Sequence, residues 1–391
     1  MDRSEQRGHL CLVGACIVSI VTAVACSGGA TSPSRRTTKP PTGASSAMSR
    51  GPAGTAAPTV TTAPTATPTV TPTHPAGEFT FSFAGDVHFA ERTATRLATD
   101  PATVFGQAQP VLAAADRTMV NLETAITTGG DQQNKTFTFR APPSALTALR
   151  ESGVDVATMA NNHGADYGAS GLRDTLSAIA ASKFPVVGVG ADAAVAYAPW
   201  TTTVRGTRIA VLAASQVQDE TLANFSAGAD SAGIANAFSP RLIAAVKAAK
   251  AAGYVVITYI HWGTEYDQCP NADQQNLAAQ LAAAGASAVI GTHAHVLQGA
   301  GWRPDGTYVA YGLGNYLWWR SFGNDQDDNG VLTLTFNRAA VVGSTFAPAH
   351  LDSRGVPLPA AGAQAARINA EWAQVRGCAG LSSRPPGVTG Q

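Results

Sequence analysis

The chain has 391 residues, 45% of them hydrophobic and 13% charged, with 26 basic and 26 acidic side chains that cancel. That is ample apolar material for a large core. A duplex-binding surface shows as a basic excess, and neither the balance nor any Lys/Arg cluster offers one, so nucleic acid is not expected as a partner.

Arg3 and Arg7 precede an apolar stretch, Leu10 to Ala25, that ends in "VTAVACSGG". The stretch is too short to span a bilayer comfortably and stops at small residues, so residues 1–26 read as an export signal. Ala23-Val24-Ala25-Cys26 resembles a bacterial lipoprotein signal-peptidase site. The resemblance implies a lipidated Cys26, a membrane anchor, and a place at the outer face of the cytoplasmic membrane or in the cell envelope. Ordinary secretion is the alternative, because the Leu usual three positions before the cysteine is Ala23 here. Residues 27–77 are Thr, Pro, Ala, Ser and Gly with almost nothing large to bury. They are expected to form a disordered spacer of up to roughly 3 Å per residue.

From 78 to 391 the pattern becomes that of a folded α/β domain. "EFTFSFAGD" places Phe79, Phe81 and Phe83 on one face of a strand that stops at Gly-Asp. "RLIAAVKAAKAAG" predicts a helix with Gly253 beyond its end, followed by the strand "YVVITYIHWG". "DQQNLAAQLAAAGA" predicts the next helix and "SAVIGTHAH" the next strand, with "RIAVLAAS", "TYVAYGLGN" and "GVLTLTFN" as further strands. Such alternation predicts largely buried sheets with helices outside.

The chemistry gathers where those strands end. Asp86 and His88 stand in "GDVH", Asn121 and Glu123 in "NLET", Asn161, Asn162 and His163 in "NNHGADYG". His261 and Glu265 follow in "HWGTE", then His293 and His295 in "GTHAHV" and Asn315 in "GLGNY". Open α/β sheets form ligand sites at the carboxyl ends of their strands, where the loops leave a crevice. Five of the eight histidines fall in this set. A mixed nitrogen and oxygen donor set suits one or two divalent ions such as Zn, Mn or Fe, and two ions roughly 3.5–4 Å apart can hold a hydroxide and clamp a phosphoryl oxygen.

In this order the motifs resemble the metallophosphatase superfamily, and within it the CapA-like proteins associated with poly-γ-glutamate capsule synthesis. The resemblance covers about Glu78 to Phe336. It implies a four-layer αββα sandwich. By position, it implies that Asp86, His88 and His295 hold one ion, that Asn162, His261 and His293 hold the other, and that Glu123 bridges. Two departures stand out: Asn-Leu-Glu replaces a GDxxD motif, and Asn-Asn-His-Gly replaces GNH followed by an acid. His163 matches the histidine that protonates the leaving oxygen, work suited to a group titrating near neutrality. Asp166, three residues on, is expected either to orient that ring or to cap the following helix.

Three of the five cysteines lie in the signal, leaving Cys269 and Cys378. In an exported protein two such residues are expected to pair, the alternative being that Cys269 ligates metal beside His261. Taken together, the resemblance implies an exported metal-dependent hydrolase of phosphoesterase type, acting on an anionic envelope polymer or phosphoester. The alternative it leaves open is a non-catalytic component of capsule polymer synthesis, retention or export.

Overall fold

The computed structural model describes residue 75 and residues 77–387; the expected signal with Cys26 and most of the expected spacer lie outside the described residues. The strand Glu78–Val87 is the centre of an eight-stranded sheet. Parallel to it on one side run Arg117–Leu122, Val156–Thr158 and Val186–Val187. On the other side the antiparallel Asp328–Asn337, Ala340–Leu351 and Pro357–Pro359 complete the order. A six-stranded second sheet has the parallel set Thr207–Ser215, Val255–His261, Ala286–Thr292 and Tyr308–Ala310 at its middle.

The strand period explains how the sheets stack. In Thr207–Ser215, Ile209, Val211 and Ala213 join the core shared with Phe79, Phe81 and Phe83 of the first sheet. The intervening Ala210, Leu212 and Ala214 face the other way and pack with Leu242 and Val246 of helix Pro240–Ala251 and Leu277 and Leu281 of helix Ala272–Ala284. The two sheets meet directly where the Phe83 and Tyr259 rings approach to 6.5 Å and the Tyr259 hydroxyl donates to the Ala84 carbonyl at 2.6 Å. Helices Glu91–Thr99, Ser144–Glu151 and Gly168–Ser182 add Leu97, Leu146, Leu149 and Leu172 to the first sheet's core. The layers are helix, sheet, sheet, helix, which is the αββα architecture expected from the sequence.

Local signals place the helix ends. Asn271 caps Ala272–Ala284, its side chain accepting from the Gln274 amide while Gln274 reaches back, and Gly285 closes the helix at φ +107°. Gly253, at φ +82°, lies just beyond Pro240–Ala251.

One predicted strand divides. "TYVAYGLGN" becomes Tyr308–Ala310 in the second sheet and Asn315–Leu317 in the first. Gly314, at φ +68°, turns the chain between them. Its carbonyl accepts from the Asp86 amide at 2.9 Å. A Cβ on Gly85 would sit 1.9 Å from that same carbonyl oxygen, so only glycine allows the approach that brings the two sheets' strand ends together.

Candidate metal centre

Every motif residue of the crevice comes from a strand end. Asp86 is the penultimate residue of Glu78–Val87, Asn121 lies in Arg117–Leu122 with Glu123 just after it, and Asn161, Asn162 and His163 follow Val156–Thr158. From the second sheet come His261, the last residue of Val255–His261, and His293 and His295 beyond Ala286–Thr292. All of these side chains are buried.

Two groups of ligand-type atoms converge, each within 4.8 Å: Asp86, Glu123 and His261 in one, Glu123, His293 and His295 in the other. Glu123 belongs to both. These groups set His261 beside Asp86 and His293 beside His295, while His295 Nδ1 also lies 3.3 Å from Asp86 Oδ2, as the expected set has it. His293 and His295 converge through a turn rather than an extended strand, with φ of +94° and +57°. Such backbone is strained for non-glycine residues by about 1–3 kcal/mol each and is found where a site over-determines it.

Asparagines frame the carboxylates. The Asn121 amide donates to Asp86 Oδ1 at 2.8 Å and Glu123 Oε2 at 3.2 Å, and its own oxygen accepts from Asn161 Nδ2 at 2.9 Å. Asn162 Oδ1 lies 2.8 Å from His261 Nε2. His295 Nδ1 lies 2.9 Å from Asn315 Oδ1 and 3.3 Å from Asp86 Oδ2, two acceptors that favour the tautomer with the proton on Nδ1 and the lone pair on Nε2.

Burial, then the neighbouring Asp86 charge, pushes the Glu123 carboxyl well above the usual carboxylate range. Burial likewise holds His261, His293 and His88 well below the ordinary histidine value, so these rings are neutral. Glu123 Oε1 and His293 Nδ1 are buried without any hydrogen-bond partner. Polar atoms stranded in this way are costly, and a divalent cation would satisfy a carboxylate oxygen and neutral imidazole nitrogens together. The donors present, two carboxylates, three imidazoles and one amide oxygen, fit such an ion.

His88 stands apart. Its ring stacks on Trp318 with centroids 4.0 Å apart, and its Nε2 accepts from the Trp319 amide at 2.9 Å. It falls in neither group, but its Nδ1, like Glu123 Oε1 and His293 Nδ1, is buried without a hydrogen-bond partner. His163 lies at the edge of the cluster, Nε2 3.9 Å from Glu123 Oε1, with Nδ1 2.6 Å from Asp166 Oδ2. Burial lowers its pKa while Asp166 works against that shift. Asp166 points away from the helix it precedes: its carboxylate also accepts from the Phe139 amide at 2.7 Å and pairs with Lys135 at 3.0 Å, and Tyr167 occupies the helix N-cap without a side-chain bond. Lys135 also reaches Asp219 at 2.9 Å and the Asn162 carbonyl. Glu265 is exposed at the mouth of the cleft with Tyr266.

Cys269 and Cys378 form a disulfide with Cα atoms 5.7 Å apart. No sequence signal marks Lys135, which sits in a loop without periodicity, nor Trp318 and Arg320 at the cleft.

The family model described as bacterial capsule synthesis protein PGA_cap matches residues 80–318. The chain is 30% identical over 250 residues to the PGA biosynthesis protein CapA of Bacillus subtilis, covering 60% of this chain and 62% of that one. It is 29% identical over 278 residues to the capsule biosynthesis protein CapA of Bacillus anthracis, covering 66% of each. The chain thus spans a little under two thirds of these relatives' length. Among solved structures, a phosphatase from Mycoplasma pneumoniae aligns with a TM-score of 0.44 and 14% identity, covering 69% of this chain and 93% of that one.

Proposed function

The chain belongs to the bacterial capsule synthesis protein family PGA_cap, and from that membership we propose that it acts on an anionic envelope polymer or phosphoester through a divalent metal centre. The observation that carries this reading is the buried pair of donor groups sharing Glu123. Asp86, Glu123 and His261 would hold one ion, with Asn162 Oδ1 beside them, and Glu123, His293 and His295 a second. Mn, Zn or Fe suits this donor set. Such ions supply Lewis acidity that polarises a substrate oxygen.

The chain's own residues supply the rest. Asn121, itself held by Asn161, fixes both carboxylates through its amide. Asp166 accepts the Nδ1 proton of His163 and presents Nε2 towards Glu123 and the cleft. At rest the ring is neutral because burial disfavours its charge. An anionic group entering the cleft offsets that burial effect and favours a proton on Nε2, from which the departing oxygen receives it. The Phe139 ring, 4.6 Å from that of His163 between centroids, covers one side of it.

A second reading, a non-catalytic role in capsule polymer synthesis, retention or export, is favoured by the relatives' names, which speak of biosynthesis. Turnover of a model phosphodiester and of a γ-linked glutamate oligomer by metal-loaded protein, abolished by chelation, decides between them. No helix among the described residues is long and apolar enough to cross a membrane. We place the chain at the membrane surface through lipidated Cys26. Cys26→Ser is expected to release the protein to the medium or leave an unprocessed precursor, and retention at mature size contradicts the anchor.

A further inference from the structure

The cleft over the metal centre has an aromatic wall. Trp318 stacks on His88 and lies 4.7 Å, centroid to centroid, from His295. Two residues on, Arg320 is exposed, with its guanidinium carbon 4.4 Å from the ring centroids of both Trp319 and Phe322. Arg320, Trp319 and Phe322 line the same cleft as His163 and His295. Arg320 thus lines the cleft two residues after the ring that packs on His88 and His295.

The Lys and Arg ion pairs among the described residues are made by other side chains, and Arg320 makes none. Stacking uses the flat faces of a guanidinium and leaves its in-plane N–H donors free. Two rings also restrict the side chain before a ligand arrives, which lowers the entropy lost on binding. An arginine held in this way, weakly hydrated and making no ion pair with the Glu265 that lines the same cleft, fits an oxyanion in bidentate fashion.

One carboxylate holds the segment in place. Asp327 accepts from the Ser321 hydroxyl at 2.7 Å and from the amides of Phe322 at 2.8 Å and Gly323 at 2.6 Å. The Gln326 carbonyl accepts from Asn315, the residue that orients His295. The arginine's mount and the metal centre therefore share one framework.

We infer that Arg320, clamped by Trp319 and Phe322, is an anion subsite that takes a carboxylate or phosphate of the substrate in the cleft beside the metal centre. It selects an anionic chain over a neutral one of the same shape. The inference rests on the proposed function for where the reacting group sits, but recognition itself requires no turnover.

The test measures binding of three probes to metal-loaded full-length protein: a γ-linked glutamate oligomer, its methyl-esterified neutral form, and a glycerol phosphate oligomer. Arg320→Gln is expected to weaken the anionic probe that binds by roughly 10- to 100-fold, to leave the neutral ester within about twofold, and to keep the metal content. Whichever oligomer loses affinity identifies the anion as carboxylate or phosphate. Equal binding of an anionic probe by wild type and Arg320→Gln overturns the subsite and leaves the proposed function standing. Arg320-dependent binding without turnover supports the subsite and removes the hydrolase. Metal-loaded wild type that binds no probe overturns both.

Discussion

Lys135 and Asp166 form a buried ion pair, Nζ to Oδ1 at 3.0 Å, and the other oxygen of the same carboxylate holds His163 at 2.6 Å. A lysine from the loop before Phe139 thereby fixes the acid that fixes the ring. Breaking a buried pair by removing one partner strands the other charge.

Lys135→Met is accordingly expected to lower stability by about 3–5 kcal/mol, since Asp166 is fully buried and Asp219 loses the same partner. Urea denaturation of the metal-free protein reads this. A loss under about 1 kcal/mol contradicts the network as drawn.

Glu123 gives a pH-dependent prediction. Its folded pKa is raised, so the folded state holds a proton that the unfolded chain has released, and the wild type loses stability as pH rises from about 4.5 towards the folded value. Glu123→Gln keeps the shape without the titration. The metal-free variant should be more stable than metal-free wild type, by an amount that grows about 1.4 kcal/mol per pH unit across that window, and should bind little metal. Parallel pH profiles of the two proteins contradict the raised carboxyl.

The crevice was legible in the sequence because its chemistry is carried by strand ends. Apolar runs such as "SAVI" and "YVVITYI" mark buried strands, and polar residues directly after them must gather at one edge of a parallel sheet. The order of Asp86, Glu123, Asn162, His261, His293 and His295 in the sequence is the order in which strands deliver them. What escaped depends on contacts distant in sequence. Lys135 reaches Asp166 across 31 positions from an irregular loop, and no local spacing announces it. The path of the chain through the histidine pair also escaped. Alternation along a strand predicts a shared face for His293 and His295, whereas positive φ at both residues sets where the rings go. The division of "TYVAYGLGN" between two sheets follows from Gly314 and the close packing at Gly85, a tertiary constraint with no periodic signal.

The disulfide ties the loop that carries Glu265 and Tyr266 to the helix Gly362–Cys378 across a separation of 109 residues. Closing a loop of that size is worth about 4–5 kcal/mol in the chain-entropy model. Cys378→Ser is expected to lower the denaturation midpoint accordingly, and thiol titration of unfolded, unreduced wild type should find neither Cys269 nor Cys378 free. Two titratable thiols contradict the bridge.

The most direct test of the metal centre pairs elemental analysis with a phosphodiester assay on wild type, His293→Ala and His163→Asn. His293 contributes a donor to the cluster, whereas His163 stands beside it on Asp166. Wild type should bind one or two divalent ions per chain and turn over the diester. His293→Ala should lose metal, and His163→Asn should keep it while turnover falls by roughly 10²–10⁴-fold. Full metal retention in His293→Ala, or turnover that persists unchanged in His163→Asn, contradicts the account.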